Sequence, residues 1–231
     1  RGFVFHDRSQ ASELAGLKSD FLSTVTHELR TPLTSVKGSL QLVLGKSTAL
    51  SPIDCELLNI SLKNADRLIR LINDLLDISR LELGKMELTF TRVPTASLLE
   101  EAVAGLRAYA GGRDITIECE VDADIPAITG DRDRLIQVLT NLINNACKYT
   151  PPGGRIHLTA RRDGGEAVVA VRDTGAGIPG EMLPRIFDMF TQVDRPLERS
   201  HGGLGIGLTL GKHLVELHGG KVTGTSDGGG Q

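Results

Sequence analysis

Apolar residues at Leu22, Val25, Leu29, Leu33, Val36, Leu40 and Val43 follow one another at alternating three- and four-residue steps. That spacing lines one side of an α-helix. The series runs past Pro32, although proline removes an amide donor and crowds the turn before it. The sequence therefore predicts a helix from about Asp20 to Gly45 that continues through its proline and bends there. After "GKSTALSP", Ser51 is placed to cap a second helix with Pro52 at its first position. Its apolar seam passes through Ile53, Leu57, Ile60, Leu68, Leu71, Leu75 and Ile78, widened by Ile69, Ile72 and Leu76. Two such helices joined by a short turn form a hairpin that cannot bury both stripes alone. Pairing of two copies into a four-helix bundle is the expected solution.

The remaining composition narrows the class. With 231 residues, 40% of them hydrophobic, the chain can bury a substantial core in one large domain or two small ones. A net charge of −3 without any Lys/Arg block argues against a nucleic-acid or membrane-surface binder. No apolar run approaches the ~20 residues of a membrane-spanning helix, and no secretory leader is visible. Cys55, Cys119 and Cys147 are odd in number and widely spaced. They form no metal pattern and point to a reducing, cytoplasmic setting. The start at Arg1 and the glycine run "SDGGGQ" at the end read as those of a fragment.

Composition shifts after "LELGK". From Met86 onward, "MELTFTRV", "SLLEEAVAGLRAYA", "DITIECEV", "RDRLIQVLTNLINNACKYT", "RIHLTARRD" and "EAVVAVRD" interleave strands and helices with glycine turns between them, as an α/β sandwich does. The expected layout is a tail or linker over 1–8, a helical hairpin over 9–88 and an α/β domain over 89–231. The opening "GFVFHD" reads either as a strand ending a preceding domain or as a frayed terminus.

Within the first seam, helical geometry at about 100° per residue turns His27 roughly 160° away from the apolar direction. Ser23, His27, Thr31, Thr34 and Gln41 form the opposite, polar stripe. Most isolated histidines are ordinary surface or core residues. This one stands beside Glu28, with Pro32 and polar threonines close by. An exposed imidazole is largely neutral near pH 7, with a ring nitrogen free to act as nucleophile. Glu28 can accept the proton from the other nitrogen. Thr31, one turn along on the same face, could position water for the reverse step.

Three further stretches carry the chemistry of an activated phosphate donor. In "NLINNACKYTPPGG", Asn141 and Asn145 are spaced i, i+4 and Lys148 follows nearly in line, while Leu135, Val138, Leu142 and Ala146 mark the opposite, buried face. Amide oxygens suit a hard cation such as Mg²⁺, and an ammonium suits phosphate oxygens. In "AVVAVRDTGAGIP", Asp173 ends a strand and enters a turn containing Gly175 and Gly177. A carboxylate fixed there could accept from the exocyclic amine of adenine, and the glycines let a base approach the backbone. In "HGGLGIGLTLGKHLVELHGG", Gly202, Gly203, Gly205 and Gly207 lead into a helix, whose open amides attract phosphate. The polar stretch "FDMFTQVDRPLERSH" between the last two fits a lid over nucleotide, with Arg185 or Arg199 able to reach phosphates. Each stretch alone also reads as ordinary solvent-facing turn or helix; their order makes the combination specific.

Taken together, these residues resemble the catalytic core of the sensor histidine kinases of two-component systems. "FLSTVTHELRTPLTSVKGSL" is similar to the family's phosphoacceptor segment, "NLINNACKYT" to its asparagine box, "VRDTGAGIP" and "GGLGIGLTL" to its glycine boxes, and "IFDMF" to the phenylalanine motif between them. The resemblance covers residue 9 to the end, and residues 1–8 more weakly resemble the tail of a PAS-type sensory domain. It implies a dimeric helical hairpin followed by an ATP-binding α/β sandwich of the Bergerat type, shared with topoisomerase and chaperone ATPases. It further implies that ATP phosphorylates His27, with Glu28 as base and Thr31 serving dephosphorylation. Asn145 would hold Mg²⁺ with Asn141 close by, Lys148 would contact phosphate, Tyr149 would lie near the nucleotide, and Asp173 would read adenine. Gly175, Gly177, Arg199, Gly203, Gly205 and Gly207 would complete the nucleotide site. The implied partners are a second copy and a response-regulator receiver domain, with no nucleic acid and no direct membrane contact by this stretch.

The chain departs from the family pattern at Gly224, where an apolar strand residue is usual, and at Gly211, where a branched apolar residue is common. It also lacks the closing strand segment. Two other readings share the nucleotide fold. An ATPase switch would carry a glutamate base on the asparagine-bearing helix, where this chain has Asn141. A non-enzymatic dimeric scaffold would have no need of the complete set of chemical residues.

Overall fold

A computed structural model describes residues 29–45, 50–191 and 205–228. The chain divides into two compact units, residues 1–86 and 87–231.

In the first unit, residues 29–45 form a helix, α1, that runs unbroken through Pro32. Leu22 and Val25, the start of the seam, lie outside the described residues. Helix α2 spans Pro52–Glu82 and opens on a reciprocal cap. The Ser51 hydroxyl accepts from the Asp54 amide at 3.2 Å, and the Asp54 carboxylate accepts from the Ser51 amide at 3.2 Å. Two orphan donors are thereby satisfied, and Pro52 gives up an amide that had no helical partner. Arg30 donates to Asn73, and Lys37 pairs with Asp66 at 2.7 Å. As the number rises along α1 its partner's falls along α2, so the helices are antiparallel. These half-exposed polar links set register more than stability.

One chain covers only part of the two seams. Leu33 and Leu40 are half-buried and Ala65 is buried. Leu29, Val36 and Val43 on α1 remain exposed, as do Ile53, Leu57, Ile60, Leu68 and Leu75 on α2, with Ile53 at 68%. Near its end α2 buries Leu76, Asp77, Ile78 and Ser79. Burial, reinforced by the Asp77 charge one turn on and opposed by Arg70, pushes the Asp74 carboxyl up from 3.8 to about 6.

The second unit is built in the order β1 (Thr91–Val93), α3 (Thr95–Gly111), β2 (Thr116–Val121), β3 (Ile128–Gly130), α4 (Arg132–Tyr149), β4 (Arg155–Asp163), β5 (Glu166–Asp173) and α5 (Gly207–Leu217). A short 3₁₀ turn at Leu183–Arg185 precedes α5. β2 runs parallel to β4, and β4 antiparallel to β5. Gly164, at φ +58°, turns the β4–β5 hairpin, a conformation that costs glycine little. β1 and β3 form a separate antiparallel pair.

Strand β4 alternates, burying Ile156, Leu158 and Ala160 completely. Helices α3 and α4 close the core over that face with Leu98, Leu99, Val103, Ile143, Ala146 and Cys147. Burial also pushes the Cys147 thiol up from its ordinary range. These helices against a mixed sheet are the α/β sandwich the sequence predicts.

Two local expectations need correction, and a third point follows the departure already seen in the sequence. The buried face of α4 is Val138, Leu139, Ile143, Ala146 and Cys147, while Leu135 and Leu142 are only half-buried. The helix packs against α3, β4, β5 and α5, so its apolar surface is broader than one stripe, and Val138 and Leu142 line a small apolar gap toward α5. The stretch "MELTFTRV" is a strand only at Thr91–Val93. The Thr89 amide is drawn instead to the Asp131 carboxylate at 2.9 Å. After α5, residues 218–228 form no strand. At Gly224 an added Cβ would come within 2.7 Å of Ile186 Cδ1, so the volume of the expected apolar side chain is taken by Ile186.

Gly211 is different. It is buried within α5, and a Cβ there would meet Val138 Cγ1 at an ordinary 3.9 Å. Gly211→Ala is expected to stabilise the second unit by about 1 kcal/mol through helix propensity, read as a raised thermal midpoint. The Asp74 carboxyl predicts a pH effect of defined sign. Its folded value lies above the unfolded one, so its contribution is fully present below about pH 4 and is lost as pH rises through about 6. Asp74→Asn should flatten the fall in melting temperature across that window.

Candidate functional site

Helix α4 begins where Asp131 accepts from the Arg134 amide at 3.2 Å as a side-chain N-cap. Burial raises the Asp131 carboxyl, but amide donors from Thr89, Arg134 and Asp133 together with the Arg134 charge outweigh it, and the net shift is downward. With its apolar residues in the core, α4 carries Asn141, Asn145 and Lys148 half-buried along the other side.

Each end of that polar row meets one of the glycine elements. Asn141 Nδ2 donates to the Gly207 carbonyl at 3.4 Å, joining the middle of α4 to the first turn of α5. At the other end, the Ala176 amide donates to the Tyr149 carbonyl at 3.1 Å. The turn after β5 is thus seated on the end of α4. Within this turn Asp173 Oδ1 accepts from the Gly175 amide at 2.8 Å, leaving the exposed carboxylate its second oxygen. A Cβ on Gly175 would lie 2.5 Å from Asp173 Oδ1 and 2.7 Å from the Tyr149 carbonyl oxygen, so this close approach requires glycine. Gly177 follows at φ +65°. The separation from Asn141 to Tyr149 is about 12 Å at 1.5 Å per residue.

Gly205, at φ +71°, leads into α5, and its carbonyl accepts from the Phe190 amide at 3.2 Å. Gly207 opens α5, whose first amides have no intrahelical partner by construction. Lys148 Nζ sits 2.8 Å from the Tyr149 hydroxyl and 4.5 Å from its ring centroid. Arg185 leans on Asp188 at 3.8 Å. The Asn145 side chain, between the two ends, has no hydrogen-bond partner among the described residues. A half-buried amide on the stretch of α4 between the two glycine elements fits an oxygen donor to a hard cation. Among the described residues no His/Cys/Asp/Glu cluster could hold a metal ion.

The structure therefore brings together Asn141, Asn145, Lys148, Tyr149, Asp173, Gly175, Gly177, Gly205 and Gly207. Thr31 is exposed on α1. His27, Glu28, Arg199 and Gly203 lie outside the described residues. Two contributors were not legible in the sequence. Ser226 Oγ accepts from the Ile178 amide at 2.9 Å, bracing the turn beyond Gly177. His218 touches the start of α4 from the far end of α5. No helix among the described residues is long and apolar enough to cross a membrane.

Comparison with known proteins follows the same division. Residues 17–84 match the His Kinase A (phospho-acceptor) domain, and residues 130–231 match the histidine kinase-, DNA gyrase B- and HSP90-like ATPase family. The chain is 38% identical over 221 residues to the signal transduction histidine-protein kinase BarA of Escherichia coli, covering 94% of this chain and 24% of that protein. It is 41% identical over 226 residues to the sensor protein DivL of Caulobacter vibrioides, covering 96% of this chain and 28% of the relative. The chain thus spans about a quarter of the length of these relatives. Among solved structures, full-length ShkA in complex with AMPPNP is similar at a TM-score of 0.70 and 31% identity, over 90% of this chain and 44% of that one. A phosphoacceptor hairpin followed by this ATP-binding fold places the chain in the family of two-component sensor histidine kinases.

Proposed function

We propose that this chain transfers the γ-phosphoryl group of ATP to His27 and passes it to an aspartate on a response-regulator receiver domain. The observation that carries the nucleotide half is the convergence on one face of α4. The Asp173 turn meets the helix at Tyr149, the glycine start of α5 meets it at Asn141, and Asn145 and Lys148 lie between. In this reading the free Asp173 oxygen accepts from the adenine amine, with Tyr149 beside the base and Gly175 and Gly177 giving it access. Lys148 swings from Tyr149 to phosphate oxygens. Gly203, Gly205, Gly207 and Arg199 surround the triphosphate, whose charge the α5 N-terminus favours. Asn145 offers its amide oxygen to Mg²⁺, which neutralises phosphate charge when bound.

The transfer step forms a bond between an imidazole nitrogen of His27 and the γ-phosphorus while the bond to the β–γ bridging oxygen breaks. ADP leaves with that electron pair, and Glu28 takes the proton from the other ring nitrogen. Thr31, exposed on α1, is suited to orient water for removal of the phosphoryl group. Pairing of two copies follows from the apolar stripe left open on α1 and α2, where Ile53 and Leu57 are 68% and 58% exposed. The receiver partner rests on the phosphoacceptor class of the hairpin, and the three free cysteines suit a cytoplasmic setting.

Incubation with γ-labelled ATP and Mg²⁺ should give an acid-labile, base-stable protein label. His27→Ala should abolish it, and Asn145→Ala should reduce it at least tenfold. A label that survives in His27→Ala overturns the acceptor assignment, and rapid phosphate release without any label indicates an ATPase switch instead. Gly175→Ala, whose methyl would strike Asp173 and Tyr149, should weaken ATP binding by roughly tenfold, about 1.4 kcal/mol, in calorimetric titration.

A further inference from the structure

Helices α4 and α5 lie antiparallel, joined near both ends of α5. At its first turn the link is the long contact from Asn141 Nδ2 to the Gly207 carbonyl, 3.4 Å. At the other end His218, which terminates α5, makes two shorter bonds. Its Nε2 receives the Asp131 amide at 2.9 Å, and its Nδ1 lies 2.6 Å from the Leu214 carbonyl. An amide only donates and a carbonyl only accepts, so the partners assign the proton to Nδ1 and the lone pair to Nε2. The donor amide belongs to Asp131, the N-cap of the asparagine-bearing helix.

The surroundings fit this ring closely. Phe90 packs on it with centroids 5.2 Å apart. A Cβ on Gly130 would come within 2.8 Å of His218 Cδ2, so residue 130 has to lack a side chain for the ring to reach Asp131. The stretches between the two links are also matched. Eleven steps along α5 from Gly207 to His218 and ten along α4 from Asp131 to Asn141 rise about 15–17 Å. The body of α5 is held independently, because Leu210 and Leu214 are fully buried. Loss of the imidazole contacts would therefore leave the helix in place and free its tilt against α4.

We propose that His218 is a positioning residue for the nucleotide site: its ring locks the last turn of α5 to the N-cap of α4, and so fixes the spacing between the glycine start of α5 and the Asn141–Asn145 face. This rests on the nucleotide reading above. It adds a residue at the opposite end of the helix from the phosphates.

The test compares His218→Leu, which removes both bonds, with His218→Gln, whose amide carries an acceptor and a donor one carbon apart, as the imidazole does. In the full chain, ATP affinity measured below the melting transition should fall about five- to tenfold in His218→Leu and recover to within roughly twofold of wild type in His218→Gln. Unchanged affinity in His218→Leu, or no recovery in His218→Gln, overturns the proposal. A second arm needs no nucleotide. In ¹H–¹⁵N spectra of the free protein, the Gly207 amide and Asn141 side-chain amide resonances should shift in His218→Leu and return in His218→Gln. If they stay unmoved, His218 does not set the far end of α5. A wild-type protein that binds no ATP would instead sink the kinase reading, and the spectra would still decide the role of His218.

Discussion

The burial of α4 against β4 is the interaction on which the second unit depends. Ile143 and Cys147 on the helix and Ile156 and Leu158 on the strand are wholly excluded from solvent. Each removes apolar area worth about 25 cal/mol per Å², and none can rotate outward without carrying the helix off the sheet. Because the helical repeat ties opposite faces together, fixing Ile143 and Cys147 inward also fixes Asn141, Asn145 and Lys148 outward. Core and candidate site are two sides of one element. The site is correspondingly rigid along α4, and its adjustable parts are the turns and helix starts brought up against it.

Much of this was legible in the sequence because the signals are local. The Ser51-Pro52 start of α2, the period-two pattern of β4 and the i, i+4 asparagines depend only on neighbours in the chain. The helix through Pro32 was legible for the same reason, since the apolar series keeps its phase across the proline. The errors came where distant segments compete for the same groups. The Thr89 amide was expected in a strand, but the Asp131 carboxylate, 42 residues away, takes it. β3 went unpredicted because three residues paired only with β1 leave no periodic trace. The inward face of α4 was misjudged because a helix flanked by α3, α5 and the sheet has more than one apolar side. His218 was illegible for the plainest reason: an imidazole in a polar helix end looks like surface until Asp131 is placed beside it.

In the first unit the polar contacts specify arrangement while the apolar ones are left incomplete. Arg30–Asn73 and Lys37–Asp66 align the two helices, yet much of both seams stays uncovered. A hairpin of this kind has its register set within one chain and most of its hydrophobic driving force available to another.

The bond from the Phe190 amide to the Gly205 carbonyl brings the start and finish of a long connection to the same point. The entropy of closing a loop grows only logarithmically with its length. Once such a neck is tied, residues inserted into or deleted from the connection change the closure term by a fraction of a kilocalorie and leave the frame on either side where it was.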